Sequence, residues 1–270
     1  MRVQSMLNTD TMDTEACVEQ AIRIIDAGGE LVRITAPGVK EAKNLANIHA
    51  ELRRRGYTTP LSADIHFNPE AAMEAAKHVE KVRINPGNFV DKRATFQTLV
   101  YTDEEYGEEL RRLREKFTAF LDVCREHGTA VRIGTNHGSL SDRIMSRYGN
   151  TPAGMVEATM EYLRVCRDEE FDNVVISLKS SDCRVMVEAV RLLVRQMEKE
   201  GMDYPLHLGV TEAGEGEDGR IRSAVGIGTL LNEGLGDTSR VSLTEVPERE
   251  IPEALALSIL CSRVDVGVEP

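Results

Sequence analysis

The sequence predicts an α/β chain of the (β/α)8, or TIM, barrel class. Eight short β-like runs alternate with stretches of helical apolar spacing along 270 residues. Strands that alternate with helices imply parallel crossovers. Eight such units in roughly 250 residues is the size of a (β/α)8 barrel.

The first strand is read at 2–6. Asp13 then caps a helix in which Val18, Ala21, Ile22 and Ile25 recur at i, i+3, i+4 and i+7, and Gly28-Gly29 ends it. Further strands are read at 31–36, 61–67, 81–86, 130–136, 173–179, 205–211 and 239–244. Helices fit 39–55, 69–78, 103–127, 152–168, 220–233 and 250–261. One more follows Asp182, carried by Met186, Ala189, Val190, Leu193 and Met197. No composition break or linker divides the chain, so residues 1–270 are read as a single domain. The connections 87–102 and 137–151 are polar and contain glycine, and in a barrel they overhang the C-terminal mouth where active sites sit. The acidic turn 214–219 falls there too and reads as a mobile lip. Gly226-x-Gly228 lacks the third glycine of a dinucleotide loop and reads as close helix packing.

Composition removes several function classes. There are 33 Lys and Arg against 45 Asp and Glu, a formal net charge of -12, which disfavours a nucleic-acid or anionic-membrane surface. Aromatics make up 4% with no Trp, which argues against stacking platforms for bases or sugars. No apolar run approaches the roughly 20 residues of a membrane span, and no signal peptide opens the chain. The five cysteines (Cys17, Cys124, Cys166, Cys183 and Cys261) share no short ligand spacing. They read as dispersed, reduced thiols of a cytoplasmic protein rather than as metal or cluster ligands.

Against that acidic background, five cations sit at or near the ends of five different strands. They are Arg33, Arg83 and Arg132, each in a Val-Arg-Ile triplet, with Lys179 and Arg240. A buried charge needs a partner, and Asp64 and Glu212 are the acids available at strand ends. Cations converging on one place imply an anionic ligand, and the planar fork of arginine favours phosphate. Residues two apart share a strand face, so Arg33/Thr35, Asp64/His66, Arg83/Asn85, Ser177/Lys179 and Arg240/Ser242 are same-side pairs. A single inward arginine can equally be a packed structural charge, and His66 and His207 can be orienting core residues. Lys179 could be a Schiff-base amine or a plain phosphate contact. Asn85-Pro-Gly-Asn88 reads as a turn, and Asp64, His66 and His207 could together hold a divalent metal.

Val3-Gln-Ser-Met6 and Asn8-Thr-Asp-Thr-Met-Asp13 resemble the opening barrel strand of the 4-hydroxy-3-methylbut-2-enyl diphosphate synthase family. The resemblance continues in order through Ala63-Asp-Ile-His-Phe67, Arg83-Ile-Asn-Pro-Gly-Asn88, Val131-Arg-Ile-Gly134 and Val175-Ile-Ser-Leu-Lys179. It runs on through His207-Leu-Gly-Val-Thr-Glu-Ala-Gly214 and Gly236-Asp-Thr-Ser-Arg-Val-Ser242. The sequence after Gly214 looks like the family's long, three-domain form. The resemblance implies a flavodoxin- or ferredoxin-dependent oxidoreductase of non-mevalonate isoprenoid biosynthesis. That enzyme reductively opens 2-C-methyl-D-erythritol 2,4-cyclodiphosphate. It implies that Arg33, Arg83, Asn85, Arg132, Asn136, Lys179, Arg240 and Ser242 bind this substrate, and that Asp64, His207 and Glu212 act in catalysis.

The family's [4Fe-4S] cluster is held by three Cys and a Glu in a C-terminal domain. Neither that domain, the long form's inserted domain nor the usual N-terminal lead-in is found here, Leu7 replaces the usual Thr, and similarity stops after Leu257. The expectation is a substrate-binding barrel, inactive alone, that works with the cluster domain in cis or trans and could form a homodimer. Its location would be the bacterial cytoplasm, or the plastid stroma for a plant-type source. Two other classes stay open on the residues alone: a barrel lyase or aldolase using Lys179 as an imine-forming amine, and a non-catalytic binding module.

Overall fold

The computed structural model describes residues 1–65, 67–91 and 100–262. Its eight strands all run parallel, in the order β6-β5-β4-β3-β2-β1-β8-β7, and an Ile176–Leu206 bridge joins the two ends of the sheet into a barrel. The strands are β1 (Arg2–Met6), β2 (Leu31–Thr35), β3 (Leu61–Asp64), β4 (Lys81–Ile84), β5 (Ala130–Asn136), β6 (Val174–Lys179), β7 (His207–Leu208) and β8 (Thr238–Ser239). The (β/α)8 class read from the sequence is the class observed.

The local signals act as expected where they are strong. The Asp13 carboxylate accepts from the backbone N–H of Ala16 at 3.0 Å and starts α1 (Thr14–Asp26), and the chain leaves through Gly28 at φ +103°. A reciprocal Thr102–Glu105 capping box opens α4 (Asp103–His127), which ends at left-handed Gly128. Asp182 caps α7 (Cys183–Lys199), and all five apolar residues assigned to its inner face are buried. The remaining helices packed around the barrel are α2 (Val39–Arg54), α3 (Pro69–Ala75), α6 (Pro152–Asp168), α8 (Gly216–Asn232) and α9 (Glu250–Ser262).

Four readings need correction. The last two strands shrink to two residues each, partly because Pro205 has no N–H to give to the ladder. The connection 137–151 contains a helix, α5 (Asp142–Tyr148), too short to leave a clear period. The acidic segment read as a lip is largely the first turn of α8, where Glu217 and Asp218 sit favourably at the helix N-terminus. A 3-10 turn at Pro247–Arg249 leads directly into α9. Residues 92–99 of the 87–102 connection and His66 lie outside the described residues.

Two features fix the loops over the C-terminal face. A β-carbon at Gly87 would lie 1.6 Å from the Ser139 carbonyl oxygen, so the β4 and β5 loops meet backbone to backbone. Behind them, buried Arg143 of α5 donates to Asp91 at 2.9 Å and to both oxygens of Glu161 at 2.6 and 2.7 Å. Tyr106 donates to the same Glu161 carboxylate, tying the start of α4 to α6.

Candidate functional site

Parallel register brings the strand-end residues level with one another. Met6 pairs with Arg33, Asp64 with Arg83, Arg83 with Arg132, and Asn136 with Lys179. Met6, Asp64, Asn136 and Lys179 end their strands, and the register sets Arg33, Arg83 and Arg132 beside them toward the barrel mouth. They line a cavity of about 200 Å³ formed by Arg33, Asp64, Arg83, Arg132, Asn136 and Lys179 with Val210, Thr211, Arg240 and Ser242. Eight of the eleven residues expected at the site therefore share one cavity.

The five cations are not equivalent. Arg83 donates to Asp64 Oδ1 and to the Gly134 carbonyl, both at 2.9 Å. Arg33 lies 3.4 Å from Asp64 Oδ2 and donates to the Met6 thioether at 2.8 and 3.1 Å. Arg240 is held by Glu250, with Nε and Nη2 each 2.9 Å from a carboxylate oxygen. A second counter-charge, beyond the acids available at strand ends, thus comes from Glu250, the first residue of α9.

Arg132 and Lys179 are different. Arg132 is 1% exposed, and its Nε and Nη1 have no hydrogen-bond partner among the described residues. Burial, then neighbouring Arg33 and Arg83, weigh against its charge. Burial also pushes the Lys179 ammonium well below its ordinary range, and Arg132, Arg33, Arg240 and Arg83 push in the same direction. Lys179 has no ion-pair partner among the described residues. The centre of the cavity therefore holds two buried basic groups that no carboxylate among the described residues pairs with.

Two glycines make room for this arrangement. A β-carbon at Gly134 would lie 2.6 Å from Arg83 Nε, and one at Gly209 would lie 2.6 Å from Lys179 Nζ. An isolated glycine in a strand-like run signals close approach, so these two positions were available to sequence reasoning. Met6 and Glu250 gave no such signal. One is an ordinary apolar strand residue, and the other begins a helix ten residues after the arginine it holds.

The other three expected residues do not line the cavity. Asn85 is buried in its turn, where it donates to Ser139 Oγ at 3.0 Å and accepts from the Gly87 N–H at 3.1 Å. His207 is buried with Nδ1 2.7 Å from Thr238 Oγ1. Burial, followed by Lys179 and Arg132, keeps its imidazole neutral. Glu212 is exposed at the mouth with φ +51°, a left-handed conformation that costs energy for a residue with a β-carbon.

The donor set does not suit a metal or cluster. Among the described residues no three His, Cys, Asp or Glu side chains come together. Cys17, Cys124 and Cys166 are each buried, and burial is the first cause raising each thiol away from the thiolate a metal needs. Asp64, considered with His66 and His207 as a metal ligand, is instead engaged by two arginines. Among the described residues no helix is long and apolar enough to cross a membrane.

Comparison with known proteins adds a family model described as the GcpE TIM-barrel domain, which matches residues 1–255. A 4-hydroxy-3-methylbut-2-en-1-yl diphosphate synthase (flavodoxin) from Phocaeicola vulgatus is 66% identical over 257 residues, covering 95% of this chain and 42% of the relative. The protein of the same name from Protochlamydia amoebophila is 56% identical, covering 100% and 41%. The chain thus spans less than half the length of these relatives. Among solved structures, dihydropteroate synthase from Yersinia pestis aligns with TM-score 0.59 at 11% identity, over 97% of this chain and 94% of that one. The 3-keto-D-glucoside 4-epimerase from E. coli aligns with TM-score 0.60 at 11% identity, over 96% and 99%. At these identities the likeness is one of fold.

Proposed function

The chain belongs to the GcpE TIM-barrel family, and we propose on that footing that its barrel binds 2-C-methyl-D-erythritol 2,4-cyclodiphosphate. The whole enzyme would reductively open that ring to 4-hydroxy-3-methylbut-2-enyl diphosphate, taking its electrons from flavodoxin, the donor printed in the relatives' names. One observation carries the reading: Arg132 and Lys179 line the cavity as buried basic groups with no ion pair among the described residues. A doubly charged anion supplies what they lack.

In this reading Arg132 gives its unused N–H groups to phosphate oxygens, and Lys179 gains a proton as the anion arrives. Arg33, Arg83 and Arg240, already oriented by Asp64, Gly134 and Glu250, direct their remaining donors into the cavity. Asn136, Thr211 and Ser242 supply neutral hydrogen bonds to the hydroxyl and phosphate oxygens. Asp64 orients Arg33 and Arg83, while His207 and Glu212 flank the site rather than line it. The described cysteines do not fit the family's iron–sulfur cluster.

Titration calorimetry with the cyclic diphosphate tests the reading. Saturable binding that collapses with added salt is expected, since phosphate contacts are electrostatic. Negligible binding of this and other organic diphosphates would leave a non-catalytic module. The depressed lysine favours one second reading, the imine-forming amine. Borohydride trapping with phosphorylated aldehydes or ketones separates the two, because only the imine reading expects a labelled Lys179 peptide.

A further inference from the structure

Glu250 is 1% exposed and accepts four hydrogen bonds from three residues, Ser5 in β1 and Arg240 and Leu243 after β8. Its two oxygens accept from Arg240 Nε and Nη2 at 2.9 Å each, one oxygen accepts from Ser5 Oγ at 2.7 Å, and the other accepts from the Leu243 N–H at 3.2 Å. Ser5 also reaches the Pro247 carbonyl at 2.9 Å, so β1, the turn after β8 and the start of α9 meet at this carboxylate. The helix N-terminus adds partial positive charge beside it.

This contact occupies the Nε/Nη2 edge of the Arg240 guanidinium, which leaves Nη1 without a carboxylate partner among the described residues. Nη1 lies 3.5 Å from the Met6 sulfur, which also accepts from Arg33. Arg240 lines the cavity with its rotation fixed by these contacts, as a planar fork must be to meet phosphate oxygens.

The geometry assigns Glu250 as the positioning residue for Arg240 in anion recognition, an inference that rests on the diphosphate-binding reading above. Glu250 touches no ligand in this role. It acts by holding the arginine fork, with Ser5 holding Glu250 in turn.

The assignment makes an unusual prediction about sign. Glu250 carries a negative charge beside a cavity that binds an anion. If only long-range charge mattered, removing it would tighten diphosphate binding. If it positions Arg240, removing it weakens binding despite the gain in net positive charge. We expect Glu250→Gln to bind the cyclic diphosphate roughly ten- to hundred-fold more weakly, the scale seen when outer partners of a ligating group are lost.

In an Arg240→Met background the same Glu250 substitution should change affinity little, because the group it positions is gone. Ser5→Ala removes one bond to Glu250 while sparing the ion pair, and should weaken binding a few-fold in a protein that melts close to the parent. That variant decides the matter if Glu250→Gln does not fold. Calorimetry and melting temperature are recorded for every variant. Folded Glu250→Gln, or Ser5→Ala where Glu250→Gln does not fold, binding as tightly as the parent or tighter overturns the assignment. An equal loss from Glu250→Gln with and without Arg240 does so too. A parent chain that fails to bind the cyclic diphosphate overturns the functional reading instead. If Arg132→Met loses affinity while Glu250→Gln does not, that reading stands and only the role of Glu250 falls.

Discussion

Replacing Arg132 by Met should have two effects of opposite sign. Arg132 is 1% exposed, two of its nitrogens have no partner among the described residues, and after burial the neighbouring Arg33 and Arg83 weigh most against its charge. An ion held this way costs the ligand-free fold several kcal/mol, and well-packed apolar side chains in place of buried ions often stabilise by about 1–4 kcal/mol. Methionine keeps much of the side-chain bulk, so little cavity opens. The ligand-free variant should melt higher, by roughly 2–4 °C for each kcal/mol gained in a chain of about this size. Binding moves the other way. Each charge-assisted hydrogen bond to phosphate is worth about 1.5–3 kcal/mol, or about one to two decades in affinity. Scanning calorimetry without ligand and titration with the cyclic diphosphate measure both effects, with exposed Lys199→Met as a control expected to change neither. A variant that melts lower would show that the guanidinium is a structural charge. A variant that binds like its parent would remove Arg132 from the ligand site.

Other consequences follow from the same buried charges. Burial first and the neighbouring arginines next depress Lys179 in the free protein, and an arriving anion raises it again. Binding at a pH between those two states should take up a proton, seen as a buffer-dependent heat that Lys179→Met abolishes, and affinity should fall as pH rises across that interval. At the opposite barrel face, Lys81 lines a separate cavity of about 380 Å³, and burial lowers it from 10.5 to about 7. Between about pH 7 and 10.5 the unfolded chain holds a proton that the folded chain does not, so stability should rise with pH there. Urea unfolding of Lys81→Met should show a flatter profile across that window, and an unchanged slope would contradict the account. Gly209→Ala places a β-carbon 2.6 Å from Lys179 Nζ and 2.9 Å from the Arg240 carbonyl oxygen. It should cost about 1–3 kcal/mol of stability as overpacking and weaken diphosphate binding. A parent-like urea midpoint would count against that crowding.

The barrel class and most of its helices were legible in the sequence, because those depend on local physics. Asp13 and Asp182 cap helices whether or not the barrel closes, and the apolar spacing in α7 specifies its buried face directly. The sequence also determined which cations meet. Parallel strands put equivalent strand ends at one mouth, so Arg33, Arg83, Arg132, Lys179 and Arg240 could be grouped without knowing any distance. The ends of β3, β4, β7 and β8 were less legible, since where a strand stops depends on ladder bonds with its neighbours. Which cations are already satisfied, by contrast, depends on the packing of distant elements. Glu250 reaches Arg240 from a helix and Met6 reaches Arg33 across strand register, whereas no carboxylate among the described residues pairs with Arg132 or Lys179. Asn85 and Arg83 look equivalent two residues apart, yet the close approach at Gly87 turns Asn85 to Ser139 and leaves Arg83 in the cavity. A residue's type and strand position are local properties, but whether its charge is balanced depends on every element packed around it.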